Sequence, residues 1–143
     1  MRLLTLEGKY DPAMRQLAVS IIKNCPGKDW DCEIDTIFDF VRTNIRYTLD
    51  INEIELIRPP QFILQDGVGD CDDMCVLLAT LLECVGHSCT FMAVGFGPTD
   101  DFTHVVVLVS PAAEEEAYSL DATEPNPPGW FPPGVTCSMS IRI

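Results

Sequence analysis

The stretch VGDCDDMCVLLATLLECVG, residues 68–86, constrains the fold more than any other part of the chain. Met74, Leu77, Leu78, Leu81 and Leu82 recur at the three- and four-residue spacing of one helix face, which predicts a helix over 71–85. Gly86 is its natural stop. So dense an apolar stripe has to be buried against other elements, and the rest of the chain must supply the cover. The stretch also sets a cysteine between aspartates in the first turn. A cysteine needed only for packing could sit anywhere along the stripe.

The flanking sequence offers that cover. Asp11 caps a helix through PAMRQLAVSIIKN (12–24), with Pro12 at its first position. Met14, Leu17, Ala18, Ile21 and Ile22 lie on one face, and CPGKDW ends it. A second helix fits EIDTIFDFVRTNIRY (33–47), with Ile34, Ile37, Phe38, Val41 and Ile45 inward. Residues 49–70 read as one long connection of about twenty residues, a length usually tied to function. After the apolar helix come three candidate strands, 88–96, 102–110 and 116–122. GPTDD and PAAEE are their turns, and short connections predict an antiparallel meander. In the proline-rich tail, Ser138–Ile143 reads as a last edge strand. With no internal repeat, residues 1–143 are expected to form one α+β domain, its N-terminal helices packed on a small antiparallel sheet.

Composition narrows the function. At 143 residues the chain can bury one real core. Its net charge is −13, unevenly spread: residues 1–58 hold eight Lys/Arg and ten Asp/Glu, residues 59–143 one and twelve. Phosphate backbones would be repelled, which argues against a nucleic-acid partner. No apolar run reaches the roughly 18 residues of a membrane span, and MRLLTLEGKYDP does not read as a secretory signal. Seven cysteines, an odd number, then suggest reduced thiols and a cytoplasmic location. Their spacings, C-x6-C, C-x3-C and C-x4-C, lack the paired knuckles of a zinc site. No metal or cofactor is expected.

The thiol at the helix start has a chemical reading. The positive end of the helix dipole favours thiolate, and backbone N–H groups there can hold an anion. A nucleophilic Cys71 would need a base and a group to orient it. The chain has two histidines. His87 follows the helix, roughly 22 Å from Cys71 at 1.5 Å per residue, and reads as a surface turn residue. His104, in DFTHVVVLV, and Asp121, in YSLDAT, fall on successive predicted strands that can place them side by side. Asp70 suits the helix cap, and Asp72 and Asp73 suit the first turn, yet all three oppose ionisation of the thiol.

Other residues have plainer readings. Cys71 alone would pass for a packing or capping residue. Cys75, one turn on, fits a core position, a resolving thiol, or a Cys71–Cys75–His104 metal site. The remaining cysteines read as structural. Asp100 and Asp101, and the glutamates 114–116, read as solvated turns. Trp130 covers either the site or the core edge.

Taken in order, GDCDDMCVLLATLLECVGHSC, FTHVVVLV and YSLDATEPNPPGW resemble the transglutaminase-like superfamily of papain-like cysteine enzymes. FDFVRTNIRYTLD matches its helix before the active site, so the resemblance covers roughly residues 33–132. It is closest to the short, single-domain bacterial and phage members. It implies Cys71 as nucleophile, His104 as general base and acid, and Asp121 as the residue orienting the imidazole. It implies an oxyanion site at the Cys71 backbone N–H, with Gln65 at the offset of the papain-like oxyanion glutamine. Val105 and Val106 stand where members often carry an aromatic residue after the histidine. The activity implied is acyl transfer through a thioester on a protein or peptide, by a peptidase or amidase. The alternatives are transglutaminase-type cross-linking, or a non-catalytic module such as a phage-particle or assembly component, which could be virion-associated.

Overall fold

The computed structural model describes residues 1–49, 56–99, 101–112 and 116–143. In chain order the helices are α1 (Arg2–Lys9), α2 (Pro12–Ile21), α3 (Trp30–Asn44), α4 (Pro60–Asp66) and α5 (Cys71–Cys84). The strands are β1 (Arg46–Tyr47), β2 (Val68–Gly69), β3 (Ser88–Phe96), β4 (His104–Ser110), β5 (Tyr118–Leu120) and β6 (Val135–Arg142). The expected apolar helix forms as α5 and is buried from Asp73 to Cys84. Helices α1 to α4 pack against it, and β3 and β4 pack against it too. The main core is therefore a sleeve around one helix, which fixes the position of its first residue, Cys71.

Local chemistry explains the helix entries. Asp11 accepts from the Ala13 N–H at 2.8 Å, and Pro12 opens α2 as expected. Asp29 does the same for α3, accepting from the Cys32 N–H at 3.1 Å. This helix starts earlier than expected, and Arg46–Tyr47 leave it for a short strand. No helix is expected over residues 2–9, and of the α1 that forms there only Thr5 and Gly8 are buried. Contact drives it: a Cβ on Gly8 would stand 2.8 Å from both Pro60 and Thr80, so glycine lets α1 lie on α4 and α5. Lys9 then reaches buried Glu83 at 2.7 Å, and Glu83 also accepts from the Cys89 N–H at 2.7 Å.

Several expectations are corrected. The connection 49–70 is not a plain loop: α4 and β2 lie within it, and residues 50–55 fall outside the described residues. Pro60 at the head of α4 and Gly67 at φ 66 after it are the local signals for that short helix. His87 is buried, not a surface residue. Its Nε2 lies 3.1 Å from Glu33, and its Nδ1 accepts from the Ala112 N–H at 3.1 Å, joining α3 to the segment after β4. Burial pushes His87 below its ordinary value, with Glu33 opposing. Cys25 and Cys32 form a disulfide, against the expectation of seven reduced thiols. The CPGKDW turn, with Lys28 at φ 65, brings their Cα atoms to 5.7 Å. The turn readings at Asp100, Glu114 and Glu115 lie outside the described residues. Asp101 and Glu116 are exposed.

The four-stranded sheet runs β5-β4-β3-β6, all antiparallel. Strands β3, β4 and β5 form the expected meander. Strand β6 is longer than expected and returns to the edge beside β3. Between β5 and β6 the tail is clamped by the Gly129 N–H on Ser119 O (2.8 Å), by the Ser119 hydroxyl on Trp130 O, and by Arg42 on Asn126 O (3.3 Å).

Candidate active site

Cys71 is the first residue of α5. Extended Asp70 precedes it and accepts from the Asp73 N–H at 3.0 Å, as a cap should. The thiol therefore sits where backbone N–H groups lack intrahelical partners and the dipole is positive. The approach to Cys71 is held by β2, which pairs in parallel with β1 through Arg46–Val68 and Tyr47–Gly69.

Asp73 is fully buried and does not stand as an uncompensated charge. It accepts from the Arg58 N–H (2.9 Å), Nε (3.0 Å) and Nη2 (2.6 Å). Arg58 also reaches Asp66 (2.9 Å) and Val68 O (2.7 Å), tying α4 and β2 to the first turn of α5. A Cβ on Gly69 would lie 2.8 Å from that of Asp73, so the strand passes only as glycine. Sequence reasoning missed Arg58. The signal was present: it is the last cation before a stretch of aspartates with no Lys or Arg until Arg142.

His104 opens β4. The Thr103 N–H donates to Val94 O at 3.0 Å, and a side chain on Gly95 would collide with the Asp101 carbonyl, so that glycine lets the loop return. Asp121 lies just past β5, not within a strand over 116–122. His104 Nε2 and Asp121 Oδ2 are 2.7 Å apart. The other carboxylate oxygen accepts from the Thr123 N–H (3.1 Å) and hydroxyl (2.6 Å). With Nε2 taken by Asp121, Nδ1 is the ring nitrogen left for Cys71, which lines the same cavity.

The electrostatics follow from this arrangement. Hydrogen bonding to Asp121, then to Cys71, pushes His104 up to about 10, against the opposing effect of burial. Burial alone would raise Asp121, but the bonds from His104 and Thr123 outweigh it and hold the carboxyl below its ordinary value. The pair thus favours imidazolium beside carboxylate. Tyr47, on β1, was also missed. Burial, then the charges of Cys71, Asp70 and Asp121, push its hydroxyl up, so it keeps its proton near the thiol.

Other candidates separate from this cluster. Cys75 is a core residue whose thiol donates to Val105 O at 3.4 Å, and burial pushes it well above its ordinary value. Among the described residues no group of three or more His, Cys, Asp or Glu is placed to hold a metal, so Cys71, Cys75 and His104 form no Cys2His site. Gln65 is exposed on α4 and does not line the cavity at Cys71, so its position lends the oxyanion role no support. Trp130 is half-buried against the tail and also lies outside that lining. No helix among the described residues is long and apolar enough to cross a membrane. The cavity measures about 370 Å³, and apart from Cys71, His104 and Asp72 much of its wall is apolar sheet.

Comparison with known proteins agrees with this fold. Residues 15–120 match the family model of the transglutaminase-like superfamily. No curated protein matches the chain. Among solved structures, a provisionally named protease from Parabacteroides distasonis superposes with a TM-score of 0.67 at 15% identity, over 87% of this chain. The chain spans only 26% of that protein. LapG of Legionella pneumophila superposes with a TM-score of 0.61 at 20% identity, covering 94% of this chain and 79% of LapG. Its calcium-bound form gives 0.62 at 20% identity over 94% of this chain and 80% of that one. At these identities the likeness concerns the fold.

Proposed function

Because the chain belongs to the transglutaminase-like superfamily, we propose that it is a cysteine-dependent acyl-transfer enzyme acting on amide bonds of a protein or peptide. One observation carries the reading. Cys71 heads a buried helix and shares a cavity with His104, whose far nitrogen is held at 2.7 Å by buried Asp121. Each residue then has a task. The Cys71 thiolate attacks the amide carbonyl, and the developing oxyanion is met by the Cys71 backbone N–H. The His104 imidazolium, favoured by Asp121, protonates the leaving amine. A thioester on Cys71 remains. Water, deprotonated by now-neutral His104, attacks the thioester, which releases the acid and restores the Cys71 thiolate beside the His104 imidazolium.

Hydrolysis is preferred to transfer onto a lysine amine. The description of the Parabacteroides protein as a protease supports that choice. The tension raised by the aspartates is eased, since Arg58 compensates Asp73, and this favours a working thiol over an inert scaffold. The test is a digest of a proteome-derived peptide mixture by wild type and by Cys71→Ala, with a fluorescent primary amine present. New peptide termini that depend on Cys71 support the hydrolase. Cys71-dependent amine incorporation without new termini would replace it with a transamidase. Neither product would leave the non-catalytic module.

A further inference from the structure

Residues paired across a sheet share a face, and two rows on the face toward α5 end at β6. One row runs Val107–Phe91–Ile141 and the next Val105–Ala93–Met139. Along the first, exposure climbs from 0% at Val107 through 5% at Phe91 to 47% at Ile141. Met139 ends the second row at 48%. Helix α5 packs on β4 and β3 and leaves the β6 end of both rows open. Yet β6 is patterned to bury that face: Cys137, Met139 and Ile141 alternate with Ser138, Ser140 and Arg142. The cavity that holds Cys71 and His104 occupies this uncovered shelf.

We infer that the shelf is a specificity subsite for one bulky apolar side chain, aromatic or branched, next to the amide attacked by Cys71. Phe91, Ala93, Met139 and Ile141 are its selecting surfaces. The inference rests on Cys71 being the nucleophile, and it names what the nucleophile acts on. Whatever fills the shelf must be joined to a carbonyl at Cys71, which points to a substrate side chain. A volume of about 370 Å³ suits one side chain with a short run of backbone. Arg2 and Asp72 bring opposite charges to the lining, so neither sign dominates. Ala93, a single methyl between Val105 and Met139, leaves the room that a larger residue would fill.

The test uses three alkylating probes: N-phenethyl-, N-(2-carboxyethyl)- and N-(2-aminoethyl)-iodoacetamide. Each forms a sulfur–carbon bond at Cys71 and releases iodide. Rates at Cys71, read by mass spectrometry, are divided by each probe's rate with free N-acetylcysteine amide. Because the result is a ratio between probes, it reads the subsite even if the thiol is sluggish, whereas plain iodoacetamide against pH reads the nucleophile separately. The phenethyl probe should lead both charged probes by about tenfold. Met139→Ser, an exposed edge-strand change that spares the core, and Ala93→Leu should each bring the ratio near one. Equal rates in wild type, or a preference that survives both variants, would overturn the subsite. Equal rates together with a dimer that Met139→Ser dissociates would assign the shelf to a second copy of the chain and overturn it as well.

Discussion

Replacing Asp121 with Asn keeps the shape of the carboxylate and removes its charge from His104. The rise of His104 from 6.5 to about 10 corresponds to roughly 4–5 kcal/mol in favour of the imidazolium. Asp121 is the largest contributor, Cys71 supplies a further share, and water over the 18% of the ring that is exposed screens part of the total. The substitution should therefore cost about 2 kcal/mol. The sign sets where to look. The raised folded value of His104 contributes stability fully present below 6.5 and lost as pH rises through about 10. The lowered value of Asp121 contributes stability present above 3.8 and lost as pH falls through its depressed value. The difference between wild type and Asp121→Asn should thus be largest between about pH 4 and 6.5 and shrink toward pH 10. Urea unfolding at pH 5.5 and 9.5 measures it, and NMR of the His104 ring follows the titration directly. A His104 that titrates near 6.5 in wild type, or that is unmoved by Asp121→Asn, would refute the reasoning.

Arg58→Met strands the buried Asp73 carboxylate and should cost about 3–5 kcal/mol in urea unfolding. Arg58→Met with Asp73→Leu should recover part of that loss. Cys75 and Cys89, whose thiols burial pushes well above their ordinary value, should resist alkylation in the native protein and react only in denaturant, as peptide mass mapping would show. Cys25→Ser with Cys32→Ser should lower stability by about 2–3 kcal/mol, the loop-closure entropy of so short a bridge, with wild type and variant compared without reductant.

Much of the candidate site's placement was legible because its parts lie on or beside strongly patterned segments. The stripe from Met74 to Leu82 announced a buried helix, and Cys71 at its head followed. His104 opens a continuous apolar run readable as a strand, and Asp121 falls just past the end of the next one. Features set by long-range contact were not legible. The helix over residues 2–9 exists because Gly8 fits against Pro60 and Thr80, partners more than fifty residues away. Burial of His87 depends on Glu33 and the Ala112 N–H, neither near it in sequence. Arg58 was hidden by a connection read as plain loop, and its role appears only once Asp73 is known to be fully buried. The Gln65 analogy carried a sequence offset across a loop whose geometry here turns the residue outward on α4.

The most direct test of the Cys71–His104 pair is the rate of iodoacetamide labelling at Cys71 across pH, by mass spectrometry, in wild type and His104→Ala. The account predicts a rate at Cys71 far above that of half-buried Cys137, which collapses in the variant. A rate equal to that of Cys137 and unchanged by the loss of His104 would contradict it.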